Sequence, residues 1–375
     1  MRGLRIFCLV ATLAVAQVAL ARADVTGAST FTTLSCAMPL VTTELGPRAR
    51  CTQVPASGTA SRAGMYDPVS DEFQLDDVDF GGGTAAAPVG GIAIRRQESG
   101  VRIRPRSAAS LTAVQMNLCN SGIAGCYTGR AGAKAAQTVL ERVPALVTVN
   151  EACESDVTER LLPAMLALYP NEWIFWTFAP AAHRGSGEPV RCTPDAQGKE
   201  RGRFGNGAVG RLLTEARPGF TFEGGLFPDD RPSPGELQDR AHAELRSWVC
   251  AEANQIYRAC TAHLDNPSAT GAGTPEQERV ASNQCRYLLT SVSAGLPTVF
   301  LGDLNLGADP AARYSVQVCA PEGWSHNGDG AVQHALSSKL FDAAAVEVVP
   351  MGDTTDHPAL VVVFRLRTGP SLAGS

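Results

Sequence analysis

The sequence predicts an α/β protein built as a two-sheet α/β sandwich, with a small N-terminal β-rich module ahead of it. From Leu111 onward, strand-like apolar runs alternate with amphipathic helical segments, a pattern typical of two packed layers. Polar residues follow several of these runs directly, as Asp303 and Asn305 follow the buried run at 299–301. Residues 24–110 instead are rich in Thr, Ser, Gly, Ala and Pro and have no helical period, which favours short strands or an extension packed along the main domain.

The N-terminus has the pattern of a signal peptide. Arg2 and Arg5 precede an apolar run at 6–20, and Ala21-Arg22-Ala23 gives the small-x-small pattern of a cleavage site. We therefore expect residues 1–23 to be removed and the mature protein to be secreted into the extracellular space. The apolar run is too short for a comfortable membrane span, and no later segment supplies one, so the sequence predicts no integral membrane segment.

The cysteines predict disulfide bonds. The chain has 11 of them, and removal of Cys8 with the signal peptide leaves an even number. In an exported protein this favours disulfides over metal ligands or nucleophiles. Closeness along the chain suggests three pairs and leaves the pairing of four further cysteines open: Cys36–Cys51, Cys119–Cys126 and Cys250–Cys260, then Cys153, Cys192, Cys285 and Cys319.

The formal net charge is −5 at pH 7. An acidic protein gains no long-range attraction to a polyanion, so a nucleic-acid substrate would require a local basic face and bound cations. A basic loop ahead of Gly205 is one candidate for a phosphate-facing rim, and a solvated loop pinned by Cys192 is the alternative. The basic residues that lie in or border it are Arg184, Arg191, Lys199, Arg201, Arg203 and Arg211.

In chain order, strands are predicted at 111–118, 145–149, 172–178, 204–213, 245–250, 257–263, 299–301, 332–337 and 358–366. Helices are predicted at 130–142, at 155–168 with Ser155 as the cap, and at 274–295. The last helix begins with Thr274, Pro275 and Gln277, which is a capping-box pattern. The segment 172–178 is apolar on both faces, which favours a central strand over an aromatic ligand platform. Residues 369–375 are expected to form a flexible tail.

Short polar motifs recur at the ends of the predicted strands. On an extended backbone, side chains two positions apart point to the same side, so Asp303 and Asn305 emerge together. The motifs, in chain order, are Gln115-Met116-Asn117, Val149-Asn150-Glu151, Gly205-Asn206-Gly207, Thr261-Ala262-His263, Gly302-Asp303-Leu304-Asn305 and Thr355-Asp356-His357. This series resembles the DNase I-like endonuclease/exonuclease/phosphatase superfamily. The resemblance implies a catalytic domain over residues 111–368 and a DNase I-like sandwich.

The resemblance also implies roles for individual residues in a metal-dependent phosphodiesterase. The metal ligands would be Glu151 first, with Asn117 and Asp356 close by. The catalytic residues would be Asp303 on the water, Asn305 on a phosphate oxygen, His357 as general base or phosphate contact, and His263 on the phosphoryl or leaving group. Substrate contacts would come from Asn206, Arg203 and Arg211. This oxygen-rich ligand set suits Mg²⁺, with Mn²⁺ or Ca²⁺ as alternatives, better than zinc.

One position departs from the superfamily pattern. The strand before the final Asp-His pair usually carries an aspartate that orients the histidine, and Gln333 or His334 occupies that place here. A glutamine can fix the tautomer of an imidazole, but it stabilises imidazolium less than a carboxylate does. Asp342 or Glu347 could substitute from a neighbouring segment.

For the substrate, the sequence favours nucleic acid and hence an extracellular nuclease that acts as a monomer. The nearest alternative is a phosphatase or a phospholipid-headgroup phosphodiesterase of the sphingomyelinase type, which needs an exposed apolar loop to enter a bilayer. Trp173 and Trp176 are expected to be buried, which counts against that alternative. A non-catalytic binding module on the same fold is a second alternative, which only the departure at Gln333 and His334 favours.

Overall fold

The structure is a computed structural model. It describes residues 32–43, 46–55, 62–67, 72–75 and 90–95 as backbone strands, and 110–366 except 170–171, 213–219, 230–234, 254–256, 267–274, 293–295 and 339–340. The predicted signal peptide at 1–23 and the predicted tail at 369–375 lie outside the described residues. Within the described part of the chain, no helix has the length and apolar character needed to cross a membrane.

The strands are β1 (Thr32–Thr43), β2 (Gly46–Pro55), β3 (Arg62–Asp67), β4 (Glu72–Leu75), β5 (Gly90–Arg95), β6 (Ser110–Asn117), β7 (Leu146–Cys153), β8 (Trp173–Pro180), β9 (Ala182–His183), β10 (Phe204–Leu212), β11 (Phe220–Leu226), β12 (Glu244–Leu245), β13 (Ser247–Ala253), β14 (Tyr257–His263), β15 (Thr298–Asp303), β16 (Ser325–Gly328), β17 (Gln333–Ser337), β18 (Phe341–Val349) and β19 (Ala359–Leu366). The α-helices are α1 (Ala131–Arg142), α2 (Leu162–Leu168), α3 (Pro275–Tyr287) and α4 (Val316–Cys319), and π-helical turns lie at Asp156–Leu161 and Leu288–Val292.

Two large sheets form the main body, which confirms the predicted two-sheet α/β sandwich. One has seven strands in the order β18-β19-β6-β7-β10-β8-β5, and the other has six in the order β11-β13-β14-β15-β17-β16. Buried side chains of both sheets, such as Leu146, Phe175 and Leu301, pack in one cluster between them. The seven-stranded sheet packs α1 and α2 on its outer face, and the six-stranded sheet packs α3.

The N-terminal segment contributes a sheet of its own and one strand of the main body. Strands β1 to β4 form an antiparallel four-stranded sheet, while β5 pairs with β8 at the edge of the seven-stranded sheet. In the pairing of β1 with β2, the backbone of Cys36 lies opposite that of Cys51. This register is compatible with the predicted Cys36–Cys51 bond, which stays a prediction.

Four disulfide bonds join described cysteines. Cys119–Cys126 and Cys250–Cys260 form as predicted, and the second bridges β13 and β14 directly. The cysteines left open pair as Cys153–Cys192, which ties the end of β7 to the basic loop, and Cys285–Cys319, which ties α3 to α4.

Two predicted helices differ in detail from the structure. The segment predicted as one helix at 155–168 begins with a π-helical turn, and Ser155 makes no side-chain cap. The carboxylate of Asp156 instead reaches back and accepts the backbone N–H of Cys153 at 2.8 Å, just ahead of the helical segment. The helix predicted at 274–295 is α-helical only as far as Tyr287.

Candidate active site

The carboxyl ends of two parallel strand pairs meet at one edge of the sandwich. In the seven-stranded sheet β6 runs parallel to β7, which places Asn117 opposite Asn150. In the six-stranded sheet β14 runs parallel to β15, which places His263 opposite Asp303. The last polar residues of all four strands therefore face one another across the gap between the sheets.

Asn117 connects the two sheets at this edge. Its side-chain nitrogen donates to Asp303 Oδ2 at 2.9 Å and to Glu151 Oε1 at 3.1 Å. Its oxygen accepts the backbone N–H of Cys119 at 3.0 Å, a donor that fixes which way the amide points. In this structure the oxygen of Asn117 faces the main chain and its nitrogen holds the two carboxylates in place, so its role as a metal ligand stays a prediction.

Each of these carboxylates has an imidazole beside it. His263 Nε2 lies 3.7 Å from Glu151 Oε1, and His357 Nε2 lies 3.6 Å from Asp303 Oδ2. Asp356 completes the group, since its Oδ1 is 3.7 Å from the same nitrogen of His357. Glu151 and His357, which are distant in sequence, thus share one cleft through Asn117 and Asp303.

The backbone is left-handed at two of these positions. Glu151 and Asn305 have φ angles of 49° and 50°, a region that asparagine tolerates but glutamate rarely adopts, so Glu151 is strained. Asn305 is held there by its backbone N–H on Asp303 Oδ1 at 3.2 Å and by its side-chain nitrogen on Leu264 O at 3.0 Å. Such strain is concentrated at functional sites, because the surrounding contacts must compensate for it.

Asn150 lies beneath the cleft as the centre of a buried polar network. Its oxygen accepts the backbone N–H of Asp303 and the side-chain N–H of Gln115, both at 2.7 Å. Its nitrogen donates to Asn206 Oδ1 at 2.8 Å and to Thr261 Oγ1 at 3.2 Å. One side chain therefore joins strands of both sheets directly under the site.

Two predicted substrate contacts are placed elsewhere by the structure. Asn206 is buried, and its nitrogen donates to the backbone oxygen and the hydroxyl of Ser247 at 2.9 and 3.0 Å. Its amide is therefore bonded to groups inside the protein. Arg211 pairs with Glu172 and stacks on Tyr169, 4.2 Å from the ring centre. Its neighbour in β10 aligns with the start of β7, which is the opposite end of the sheet from Glu151.

The other basic residues of the predicted rim are mostly held in ion pairs. Arg203 lies near the site but grips Glu154 with two nitrogens, at 2.9 and 2.6 Å. Lys199 pairs with Glu159 at 2.7 Å. Arg201 is buried and donates to the backbone oxygens of Asn120 and Thr193. The charge of this loop is thus largely balanced by local carboxylates.

Gln333 and His334 do not take the place of the missing aspartate. Gln333 donates to the backbone oxygen of Pro358, directly after His357. His334 points to Leu306 O at 2.7 Å and to His326, and burial lowers the pKa of its imidazole to about 4. Of the two other suggested substitutes, Glu347 pairs with Arg142 on the surface, and Asp342 lies in β18 opposite Arg365. Gln333 is therefore linked to His357 through the main chain of Pro358.

Burial shapes the electrostatics of the cleft. It raises the pKa of the Glu151 carboxyl, against the hydrogen bond from Asn117, and it raises the pKa of Asp303, against the nearby His357. It lowers the pKa of His263 well below the ordinary value, with Arg246 and His357 acting in the same direction. Since burial disfavours the charged carboxylates, a bound cation would relieve that cost.

Sequence reasoning missed Arg246, which lies just before β13. Its Nη1 is 2.9 Å from His263 Nδ1 and 2.9 Å from Glu244 Oε1. Arg246 lies inside the strand predicted at 245–250, and no motif marks it. Only the pairing of β13 with β14 brings it beside His263.

A second polar cluster lies behind Arg246. Ligand atoms of Asp239, His242 and Asp265 lie within 4.8 Å of one another. His242 Nδ1 is 2.5 Å from Asp265 Oδ1, and its Nε2 is 3.8 Å from Asp239 Oδ2. The hydrogen bond with Asp265 raises the pKa of His242, against the effect of burial. Both carboxylates favour an imidazolium at His242, while His242 Nε2 and Asp265 Oδ2 are buried without a hydrogen-bond partner in the described part of the chain.

This pairing predicts a pH-dependent difference in stability between the wild-type protein and His242→Gln. A histidine whose pKa is raised on folding stabilises the fold fully below its unfolded pKa of about 6.5, and that stabilisation is lost as the pH rises through the folded pKa. We expect the wild-type protein to exceed His242→Gln in unfolding free energy at pH 5.5, and the gap to narrow above pH 6.5. Urea unfolding across this range measures it, and a gap independent of pH would contradict the prediction.

The site and fold can be compared with known proteins. No protein-family model and no curated protein matches the chain. The chain is similar to an endonuclease/exonuclease/phosphatase from Beutenbergia cavernae, at 18% identity and a TM-score of 0.47, over 69% of this chain and 72% of that one. It is also similar to the human Nocturnin catalytic domain (13%, TM-score 0.46, 76% and 100% covered) and to an endonuclease/exonuclease/phosphatase from Bacteroides vulgatus (12%, 0.44, 68% and 99%). At these identities and scores, the activity has to be deduced from this chain's own residues.

Proposed function

We propose that this protein is a secreted, divalent-metal-dependent phosphodiesterase that acts as an extracellular nuclease. The observation that carries the proposal is the convergence of a buried and a partly buried carboxylate, bridged by one amide, with an imidazole beside each. These residues are Glu151 and Asp303, Asn117, and His263 and His357. Phosphodiester hydrolysis needs this combination of a cation site, a base for the water and donors for the phosphoryl oxygens.

The donor set fits a hard cation. Glu151 and Asp356 supply carboxylate oxygens, and the cysteines nearest Asp356 are joined in the Cys119–Cys126 disulfide, so they cannot bind zinc. Mg²⁺ uses one or two protein carboxylates and keeps several waters, so these two carboxylates are enough protein ligands for it. When bound, such a cation neutralises charge on the phosphoryl oxygens. Mn²⁺ and Ca²⁺ are the alternatives.

The protein residues then have separable tasks. His357 Nε2 accepts the proton of the attacking water, and the adjacent carboxylates of Asp303 and Asp356 stabilise the imidazolium that forms. Asn305 is held by Leu264 O through one hydrogen of its amide, which leaves the other hydrogen for a phosphoryl oxygen.

Nucleic acid is the proposed substrate, although the basic loop adds little electrostatic attraction for it. The ion pairs of Arg203 and Lys199 mean that attraction to a polyanion would come mainly from the bound cation. Trp173 and Trp176 are buried in β8, so neither is available to enter a bilayer.

Purified mature protein should cleave plasmid DNA or RNA with Mg²⁺ and lose this activity with EDTA. Glu151→Gln keeps the size of the side chain and removes its charge, so we expect the variant to bind the cation poorly and to be inactive at Mg²⁺ concentrations that saturate the wild type. Gel and fluorescence assays of nuclease activity measure both effects. Cleavage that survives both EDTA and Glu151→Gln would rule out the proposed metal-dependent reaction.

One observation favours the phospholipid-headgroup alternative. Ile123 is 76% exposed in the loop closed by Cys119–Cys126, whose sulfurs lie close to Asp356 beside the cleft. An apolar tip next to an active site suits insertion into a bilayer. Sphingomyelin hydrolysis faster than nucleic-acid cleavage, together with vesicle co-sedimentation abolished by Ile123→Asp, would decide for this alternative. The absence of turnover on every phosphoester with every cation would instead favour a non-catalytic module.

A further inference from the structure

The inner nitrogen of His263 faces a guanidinium. Arg246 Nη1 lies 2.9 Å from His263 Nδ1, and the two side chains are 12% and 8% exposed, so water hardly competes for the contact. An arginine has five N–H donors and no acceptor. His263 Nδ1 must therefore accept this hydrogen bond, which leaves the ring proton on Nε2.

We propose that Arg246 is a positioning residue that fixes His263 as the neutral tautomer with its proton on Nε2. His263 then serves the phosphoryl group as a hydrogen-bond donor and does not pass a proton to the leaving oxygen. This inference rests on the proposed function for its catalytic meaning, while the tautomer itself follows from the hydrogen bond alone.

Arg246 is anchored at its guanidinium by Glu244 and at its main chain by Gln238, while its Nε is buried without a hydrogen-bond partner among the described residues. Glu244 Oε1 accepts from the same Nη1 at 2.9 Å. The side chain of Gln238 binds both the backbone N–H and the backbone oxygen of Arg246, each at 2.9 Å. An arginine anchored in this way keeps its donor aimed at His263 before substrate arrives, which is the condition for electrostatic preorganisation.

The other ring nitrogen of His263, Nε2, faces the candidate active site. Nε2 lies 3.7 Å from Glu151 Oε1, so a hydrogen on Nε2 points into the cleft beside the predicted cation ligand. The other histidine has the opposite surroundings, because His357 Nε2 lies beside the carboxylates of Asp303 and Asp356. Two histidines in contrasting environments take different roles, here a fixed donor and a base.

The tautomer can be measured directly in the full mature chain. Long-range ¹H–¹⁵N spectra distinguish protonated from unprotonated ring nitrogens, and His263→Gln identifies the His263 signals among the six histidines. We expect the wild type to show a protonated Nε2 and an unprotonated Nδ1. Arg246→Met should give a mixture of tautomers, and Arg246→Lys, which keeps a donor, should restore the wild-type pattern.

Kinetics test the role. Arg246→Met should lower kcat by about 10- to 100-fold with little change in KM, and Arg246→Lys should recover most of that loss. In the His263→Ala background, Arg246→Met should have almost no further effect, because a residue that acts through another is non-additive with it. Arg258→Met is the matched control: Arg258 lies at the other end of β14, is 18% exposed and pairs with Glu252, so kcat should not change.

Three outcomes would overturn the inference: a wild-type His263 with its proton on Nδ1, an Arg246→Met variant that keeps both tautomer and kcat, or full additivity with His263→Ala. If circular dichroism shows that Arg246→Met does not fold, the wild-type spectrum and that of Arg246→Lys still test which nitrogen of His263 carries the proton. A chain without phosphodiesterase activity but with the expected tautomer would refute the proposed function and leave the Arg246 assignment intact.

Discussion

His357→Ala should lower kcat by roughly 10² to 10⁴, the usual contribution of a general base. The imidazole is 24% exposed and faces the cleft, with Nε2 beside Asp303 and Asp356. The contacts that place this segment belong to its neighbours: Thr355 Oγ1 donates to Asn117 O at 3.0 Å, and Gln333 donates to Pro358 O. Removal of the imidazole ring therefore removes the base and leaves the contacts of Thr355 and Gln333 intact.

The measurement is kcat on DNA at saturating Mg²⁺, with the melting temperature recorded in parallel. His183→Ala is a suitable control, because the side chain of His183 is exposed and its strand β9 pairs with Glu244 of β12 through the main chain. We expect the control to keep its activity and both variants to melt close to the wild type. If His357→Ala were as active as the wild type, the proton would have to leave the water by another route, and the role given to His357 would be wrong.

The sequence predicts well which strand ends form this site, because strands and the polar residues that end them are marked by local patterns. Apolar runs such as β15 end in a polar pair, and the end of a core strand is the usual position of a functional side chain in α/β proteins. The Cys250–Cys260 bond was predictable because two adjacent antiparallel strands fix their own register. By contrast, β18 was missed because residues 344–348 are exposed on both faces of an edge strand, which removes the alternation that marks most strands.

Side-chain directions at the site could not be predicted, since they depend on partners far away in the chain. Asn117 lies at the end of the expected strand, but its amide turns according to the backbone N–H of Cys119 and the carboxylate of Asp303. Asn206 matches a motif position and yet serves the interior, because Ser247 and Asn150 satisfy its amide. No sequence pattern marks Arg246, because its proposed role depends on one contact with His263, which the pairing of β13 with β14 creates.

The loss of Asn150 tests whether this buried network holds the two sheets in register. Its side chain is fully buried and makes hydrogen bonds to Gln115, Asp303, Asn206 and Thr261. Asn150→Ala leaves several buried polar groups without partners, and each such group costs about 1–3 kcal/mol. We expect a loss of about 3–5 kcal/mol in unfolding free energy, which is at the upper end for a single substitution.

Urea unfolding with the disulfides intact measures the loss, and Asn327→Ala in the edge strand β16 is the control, with an expected change within about 0.5 kcal/mol. The backbone N–H of Asp303 is one of the orphaned groups, so the damage should also reach the cleft, and kcat should fall even at temperatures where Asn150→Ala remains folded. A variant that lost stability but kept full activity would show that Asp303 is held by Asn117 and its own strand without help from below. If Asn150→Ala kept both its stability and its activity, water would have to fill the vacated space and bond to these groups. The network would then add little to the stability of the fold.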